Sequence, residues 1–551
     1  MQFFDQHILL ALITLPMIGA AAMMAIPGAR GGAIRGSATA FGAVGILLSL
    51  YVFARFYFDG DGARFANSWR WLSLPGPWTH GDIGISLTLG VDGVGAPMLL
   101  LTGIVMFTGV LVSWSIKAWS KDFFILYFLL LAGVFGVFAS YDLFFFFFFY
   151  ELSVLPMYLL IGVWGSSSRF PKFARTKEYS AMKLTLYLVA GSVLIWVALM
   201  AIFAEAGLGT FDIRRLANAD YSPTFQKVFF PFLAIGFGIL AGLWPFHTWS
   251  PDGHVAAPTA VSMAHAGVLM KLGAFGIIRV GMVILPEGAE FWMPALLGLG
   301  AVNVIYGAIS AMGQTDLKYV IGYSSVSHMG YVVMGIATLH PLGVSGAVLQ
   351  MFSHGIMTAL FFAVVGVVYD RLHTRDMLVL DGLAKRMPAT AVFFTIAGLT
   401  SLGLPGLSGF VAELLVFLGL FQTYPWLGAL GIIGAAITAV YILRLLAKVF
   451  FGPLGDLPPE YEEQEQAATS PQEAFRATQA DNNGVEAQPT PAATNIAAPT
   501  GATQPAKPLD ATRIEIIAAS ILTMFILLVG LLPFPFMRVI NSGVAEVLAR
   551  F

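Results

Sequence analysis

The sequence predicts an all-α polytopic membrane protein with about fourteen spanning helices, and two observations carry that prediction. Hydrophobic residues make up 58% of the 551 positions and charged residues only 11%, against about 25% charged residues in soluble domains. Apolar runs of about 20 residues, the length that crosses a bilayer, recur along nearly the whole chain. The chain has no cysteines, which excludes disulfides, cysteine-ligated iron–sulfur clusters and thiolate zinc sites within it.

The apolar runs place the predicted spans and their orientation. Most lysines and arginines of the short loops follow odd-numbered spans, and such residues favour the inner side of a membrane. Both termini are therefore predicted on the outer side. No basic run carries interleaved aromatic residues, so a nucleic-acid partner is not expected. The predicted spans are residues 8–27, 36–57, 91–115, 122–139, 143–164, 181–205, 227–250, 257–283, 292–312, 317–338, 342–368, 391–421, 426–451 and 514–538.

Two spans contain residues that interrupt a helix. The seventh contains Gly242 and Pro245, and the twelfth contains Gly403 and Pro405. Interrupted helices at corresponding positions of two halves indicate a transport site. The interruptions lie five spans apart, and five is odd, so spans 4–8 and 9–13 are predicted to form two repeats of inverted topology.

The predicted domain organisation follows from these repeats and from one change in composition. A polar segment rich in Pro, Ala, Thr, Gln and Glu interrupts the apolar chain after the thirteenth span, and such a segment is predicted to be disordered. The five segments are 1–121 (spans 1–3), 122–283 (first repeat), 292–451 (second repeat), 452–512 (polar segment) and 513–551 (last span).

Titratable side chains inside the spans are the candidate functional residues. A charged group at the bilayer centre costs about 2.5–3.5 kcal/mol, so it is rare unless it faces a protein interior or a water path. A row of such groups can pass protons; the alternatives are a hydrogen-bonded core residue or, near a span end, a lysine that snorkels to the surface. The predicted proton-relay residues are Glu151, Lys183, His265, Lys271, His328, His354 and Glu413. His247 and His254 resemble a zinc pair, but no third ligand lies near them in the sequence, so no metal is expected.

Several motifs together resemble the M-type antiporter-like, proton-pumping membrane subunits of respiratory complex I. They include FFYELSVLPMYLLIGVWG, AGVLMKLGAFGIIR, QTDLKYVIGYSSVSHMGYV and SLGLPGLSGFVAELLVF, and they cover about 140–450. The resemblance implies that Glu151, Lys271 and Glu413 stand at the family's essential positions, with His328 and His354 as connecting histidines. It also implies a bacterial inner (cytoplasmic) membrane, L- and N-type neighbouring subunits, and no cofactor in this chain. NADH, FMN, iron–sulfur clusters and quinone are expected in partner subunits.

One departure from the family concerns the seventh span. A lysine usually precedes the interruption and pairs with the glutamate of the fifth span, but here Leu240 occupies that position and Gly242 replaces a proline. Two replacements for the missing lysine remain open: Lys183 pairs with Glu151, or His265 takes over the relay. The alternative functions are an Mrp-type cation/proton antiporter subunit, a membrane-bound hydrogenase subunit, and a structural spacer that does not pump.

Overall fold

The computed structural model describes residues 2–60, 65–74, 83–169, 174–453 and 510–551. It is built almost entirely of helices, which confirms the predicted fold class. The first half contains α1 (Gln2–Ala25), α2 (Gly31–Asp59), α3 (Gly95–Val112), α4 (Ser120–Ala139), α5 (Leu143–Trp164), α6 (Lys177–Ala206), the single turn α7 (Ile213–Leu216), α8 (Pro223–Ala241), α9 (Trp249–Ala256) and α10 (Thr259–Met282).

The second half continues the same architecture. It contains α11 (Pro286–Met312), α12 (Leu317–Ala337), α13 (Pro341–Leu372), α14 (Pro388–Ser401), α15 (Ser408–Thr423), α16 (Pro425–Phe450), α17 (Arg513–Leu531) and α18 (Phe534–Leu548). Thirteen helices in the described part of the chain are long and apolar enough to cross a membrane. The two shorter apolar helices α14 and α15 occupy the place of the predicted twelfth span. The inverted repeats stay a prediction.

Local sequence signals explain where the helices begin. Proline is the first residue of α8, α11, α13, α14 and α16, a position where its missing N–H is no loss. Polar caps begin other helices: the Asp142 carboxylate accepts from Phe145 N at 3.1 Å, and the Asp316 carboxylate accepts from Lys318 N at 2.8 Å. These side chains satisfy amide groups that the first helical turn leaves without a partner.

The structure corrects three predicted boundaries. The seventh span ends at Ala241, and residues 249–256 form the separate helix α9. The last span ends at Leu531 instead of 538, because Pro533 starts the amphipathic helix α18. The twelfth span is two helices, because Gly403 and Gly406 adopt left-handed backbone conformations between them, which an L side chain would oppose.

Two short β-hairpins are a further difference from an all-α chain. Strands β1 (Asn67–Leu74) and β2 (Ile83–Leu89) pair antiparallel in the loop after α2. Strands β3 (Ser168–Arg169) and β4 (Ala174–Arg175) pair in the loop after α5. The predicted disorder of 452–512 falls mostly on 454–509, which lie outside the described residues.

The centre of the molecule consists of helices that have no outer face. Helices α10 and α13 are buried along their whole apolar length, and α12 is nearly so. In contrast, α2, α6, α16 and α17 leave more than half of their apolar length uncovered by the protein. The central helices carry His265, Lys271, His328 and His354. The fold therefore collects these predicted relay residues in its interior.

A buried chain of titratable side chains

Lys271 on α10 contacts His354 on α13 at the centre of the fold. The Lys271 Nζ lies 2.7 Å from His354 Nδ1, and it also donates to the backbone carbonyl of Ala266. That carbonyl belongs to a π-helical turn over His265–Leu269, a feature frequent at functional sites. A charged ammonium has three donors and no acceptor, so His354 Nδ1 must accept from it, and the imidazole is then neutral.

His328 on α12 contacts Glu413 on α15. The His328 Nδ1 lies 3.2 Å from Glu413 Oε1, and His328 Nε2 lies 3.0 Å from the Ser401 hydroxyl. The Gln350 amide bridges ring and carboxylate, because its Nε2 lies 3.2 Å from His328 Nδ1 and 3.5 Å from Glu413 Oε1. Glu413 is only 4% exposed. It is thus a deeply buried acid held by polar neighbours.

The two contacts join into one series of side chains. The ring centroids of His328 and His354 lie 5.3 Å apart, a separation that one water molecule can bridge. The order is Lys271, His354, His328 and Glu413, from α10 through α13 and α12 to α15. These four predicted relay residues are therefore brought together, although the contacting partners Lys271 and His354 are 83 residues apart in sequence.

Both helix interruptions adjoin this interior. The α14–α15 break places Ser401 against His328 and places Ser408 within 2.7 Å of the Ser353 hydroxyl. At the break after α8, the Asn303 side chain accepts from Trp244 N at 2.6 Å and donates to Gly242 O at 3.0 Å. Irregular backbone inside a membrane protein needs such partners. Asn303 is a functional-site residue that the sequence analysis missed.

A second imidazole pair lies on the α9 side of the fold. The rings of His254 and His265 are 4.0 Å apart, and both residues are fully buried. Within the described ranges, none of their four ring nitrogens has a hydrogen-bond partner. Buried polar groups of this kind usually bind internal water. His254 was considered only for zinc, and the described residues contain no group of three potential metal ligands.

Glu151 does not join the charged contacts. It is half-buried on α5, and its Oε1 has no hydrogen-bond partner among the described residues. Leu240 is fully buried and provides only apolar contact. Among the described residues, the first half of the predicted relay thus has no cation at Glu151.

Of the two alternatives that the sequence left open, pairing of Lys183 with Glu151 is not the contact that this structure has. Lys183 Nζ instead lies 2.9 Å from Asp252 Oδ2. The reason is depth along α6: Glu151 faces Ser192, nine residues beyond Lys183, which is about 13 Å of helix. A lysine side chain does not span that distance. Asp252 was not predicted, although its position two residues before His254 in PFHTWSPDGH was a signal.

Comparisons with known proteins identify the family of this chain. The family model described as NADH:quinone oxidoreductase/Mrp antiporter, TM, matches residues 140–438. NAD(P)H-quinone oxidoreductase chain 4 2 of Thermosynechococcus vestitus is 38% identical over 451 residues, covering 81% of this chain and 82% of that protein.

Two solved structures share the fold. A chain of respiratory complex I from Thermus thermophilus with bound NADH has a TM-score of 0.78 at 24% identity, covering 98% of this chain and 99% of that chain. A chain of the Mrp complex from Dietzia sp. DQ12-45-1b has a TM-score of 0.77 at 21% identity, covering 99% and 97%. The matched region, 140–438, contains Glu151, Lys271 and Glu413 and both helix interruptions. This chain therefore belongs to the NADH:quinone oxidoreductase/Mrp antiporter transmembrane family.

Proposed function

We propose that this chain is a proton-translocating membrane subunit of an NAD(P)H-quinone oxidoreductase. The relatives named NAD(P)H-quinone oxidoreductase chain 4 support the assignment to that enzyme. The buried series Lys271, His354, His328 and Glu413 is the observation that carries proton transfer. Redox chemistry takes place in partner subunits that hold NADH, FMN, iron–sulfur clusters and quinone, and this chain binds no cofactor.

The series can move a proton because each member can bind one and release it. Lys271 gives a proton to His354 Nδ1 and becomes a neutral amine. Imidazole accepts on one nitrogen and releases from the other, so His354 Nε2 passes a proton through water toward His328. His328 then releases its Nδ1 proton to Glu413, which discharges to the outer side. Glu151, Lys183 and His265 supply protons to Lys271 from the inner side.

Proton pumping by the intact complex in membrane vesicles tests this function. We expect Glu413→Gln to lower electron-driven pumping by about tenfold or more, since a positioned proton-transfer group contributes about 10²–10⁴-fold to a rate. Glu151→Gln reports on the first half of the relay. Complex assembly is checked on native gels, and Glu205→Gln, at the outer end of α6, serves as control. Wild-type pumping by assembled Glu413→Gln would refute the function.

A structural spacer is the second candidate, and one observation favours it. Glu151 has no cationic partner within the described ranges, and Leu240 is apolar. If both glutamine variants pump as the wild type does, the chain is a spacer. If only Glu413→Gln fails, the second half alone moves protons. An antiporter subunit would instead show sodium- or potassium-dependent exchange without an electron donor.

The proposed location is the bacterial inner (cytoplasmic) membrane, beside L- and N-type subunits, with both termini outside. The native chain has no cysteine, so single introduced cysteines report orientation cleanly. Lys117→Cys, after α3, and Asp220→Cys, before α8, are both at exposed positions. A membrane-impermeant maleimide added outside intact cells should label only Asp220→Cys. Labelling of Lys117→Cys alone would reverse the orientation.

A further inference from the structure

Asp252 on α9 is a buried carboxylate with three donors from three different elements. Lys183 Nζ on α6 lies 2.9 Å from Oδ2, and the Tyr319 hydroxyl on α12 donates to Oδ1 at 3.0 Å. Arg175 on β4 also pairs with Oδ1. Asp252 is 1% exposed. Two cations therefore pair with one carboxylate that is buried from solvent.

The exposed fractions of these side chains form a gradient from solvent to interior. The Arg175 side chain is 32% exposed, that of Lys183 is 16% exposed and that of Asp252 is 1% exposed. Arg175 belongs to the loop between α5 and α6, which the charge bias predicts on the inner side. The cluster thus reaches from an inner-side loop to the buried core.

The core end of this gradient adjoins the imidazole pair. Gly253 follows Asp252 and lies directly against the ring of His265, because a Cβ at this glycine would be 3.2 Å from His265 Cε1. The same Cβ would be 2.8 Å from Leu184 Cδ1, next to Lys183 on α6. The missing side chain lets α6 and α10 approach α9 together. Asp252 and Lys183 are therefore each next in sequence to a residue that packs at the contact between Gly253 and His265.

Because Asp252 has other partners besides Lys183, the contact with Lys183 can break without leaving the carboxylate unpaired. Removing the only partner of a buried charge is strongly destabilising. Here Arg175 and Tyr319 still hold the carboxylate when Lys183 leaves, so most of that penalty is avoided. A lysine also loses a proton far more readily than an arginine. The cluster thus combines an arginine, which stays protonated in proteins, with a lysine.

We propose that Lys183 and Asp252 form the gate through which protons enter from the inner side. This inference rests on the proposed function and adds Asp252 and Arg175 to it. In the closed state Lys183 pairs with Asp252. When the gate opens, Arg175 and Tyr319 retain the carboxylate. The Lys183 N–H bond breaks, the proton passes through water to the His254–His265 pair, and the neutral amine takes a new proton from the inner solution.

Lys183→Arg is the sharpest test, because it separates charge from proton transfer. Arginine keeps the positive charge beside Asp252 but does not deprotonate in proteins. We expect the assembled Lys183→Arg complex to lose pumping by about tenfold or more, as for a lost proton-transfer group. Asp252→Asn should lose a similar factor. The double variant Lys183→Gln/Asp252→Asn should lose no more than the worse of the single variants Lys183→Gln and Asp252→Asn, since groups that act as one unit are not additive.

Glu515→Gln is the matched control. Glu515 is also a largely covered carboxylate in an ion pair, with Arg371 at 2.7 Å, but it lies at the start of α17, and glutamine also suits its capping position. It should pump as the wild type does. Wild-type pumping by Lys183→Arg would overturn the gate. If Glu413→Gln fails while Lys183→Arg pumps normally, the gate alone is wrong. If both pump normally, the proposed function fails as well.

Discussion

His354 lies between Lys271 and His328 in the buried series of titratable side chains. Its Nδ1 lies 2.7 Å from Lys271 Nζ, while its Nε2 has no hydrogen-bond partner within the described ranges and its ring lies 5.3 Å from that of His328. One nitrogen is thus occupied by the donor and the other is available to pass a proton onward. Among the described contacts, His354 is thus the residue placed between Lys271 and His328.

His354→Gln should therefore interrupt the relay without emptying the site. Glutamine can hydrogen-bond to Lys271 but cannot carry a proton from one end to the other. We expect electron-driven pumping in vesicles to fall by about tenfold or more. His340→Asn is the control, because His340 only caps α13 by accepting from Leu342 N, a role that asparagine fills well. Equal pumping by the two variants would contradict a relay through His354.

Asp142 predicts a pH dependence of stability outside the spans. It caps α5 in the connection from α4, and burial raises its pKa from 3.8 to about 7. The folded protein then binds this proton more tightly than the unfolded chain does. The contribution to stability is complete below about pH 4 and is lost as the pH rises through about 7.

Thermal unfolding of the purified complex across that range measures the effect. The melting temperature of the wild type should fall, relative to that of Asp142→Asn, as the pH rises toward 7. Asparagine has no carboxyl group to ionise and remains a good N-cap. The exposed Asp220→Asn should follow the wild type. A constant difference between wild type and Asp142→Asn at all pH values would show that Asp142 does not titrate in this way.

At the scale of elements, the interruption after α8 depends on a side chain from α11. Asn303 accepts from Trp244 N and donates to Gly242 O and Val326 O. It replaces backbone hydrogen bonds that the interrupted helix cannot make, and it ties α8, α11 and α12 to one another. The sequence predicted the interruption from Gly242 and Pro245. It could not predict Asn303, because nothing local marks an asparagine 61 residues downstream as a partner.

Asn303→Ala should destabilise the complex measurably. It leaves the Trp244 N–H and the Gly242 carbonyl without partners, and each unsatisfied buried group costs about 1–3 kcal/mol. We expect a clear drop in melting temperature. Gln314→Ala, at the end of the same helix, removes one half-buried bond to Ser310 O and should change little. If the two variants melt at the same temperature, Asn303 does not hold the break.

Across the whole molecule, the sequence predicted the helices but not the contacts between their charged side chains. Hydrophobic length and interrupting residues predicted most helices within a few positions, because these signals are local. The half-buried Glu151 and the buried Lys271 and Glu413 were predicted from charge in an apolar span. The contacts between charged or titratable side chains could not be predicted. Lys183 meets Asp252, and Lys271 meets His354, only through tertiary packing. Lys183 contacts Asp252 instead of Glu151 for the same reason. The sequence shows which residues are charged but not how deep in the protein each side chain lies.

At the scale of the whole molecule, the last residues of the polar segment 452–512 differ from the rest of that segment. Its last residues are structural: the Asp510 carboxylate accepts from Ala389 N and from the Thr390 hydroxyl, both at 2.7 Å, and so caps α14. Thr512 and Glu515 form a capping box at the start of α17. The composition of 454–509 has few large apolar residues, which predicts no contribution to the packed core.

Replacing 454–509 with a Gly/Ser linker of about 20 residues should therefore leave assembly and pumping unchanged. Such a linker has a root-mean-square span of about 25 Å and can extend much further. The matched control is the same replacement extended through Thr512. It removes the Asp510 cap from α14 and the Thr512 cap from α17, each worth about 0.5–2 kcal/mol. We expect the longer deletion alone to lower the melting temperature of the complex. Loss of pumping in the shorter deletion, with assembly intact, would instead give 454–509 a direct role in transport.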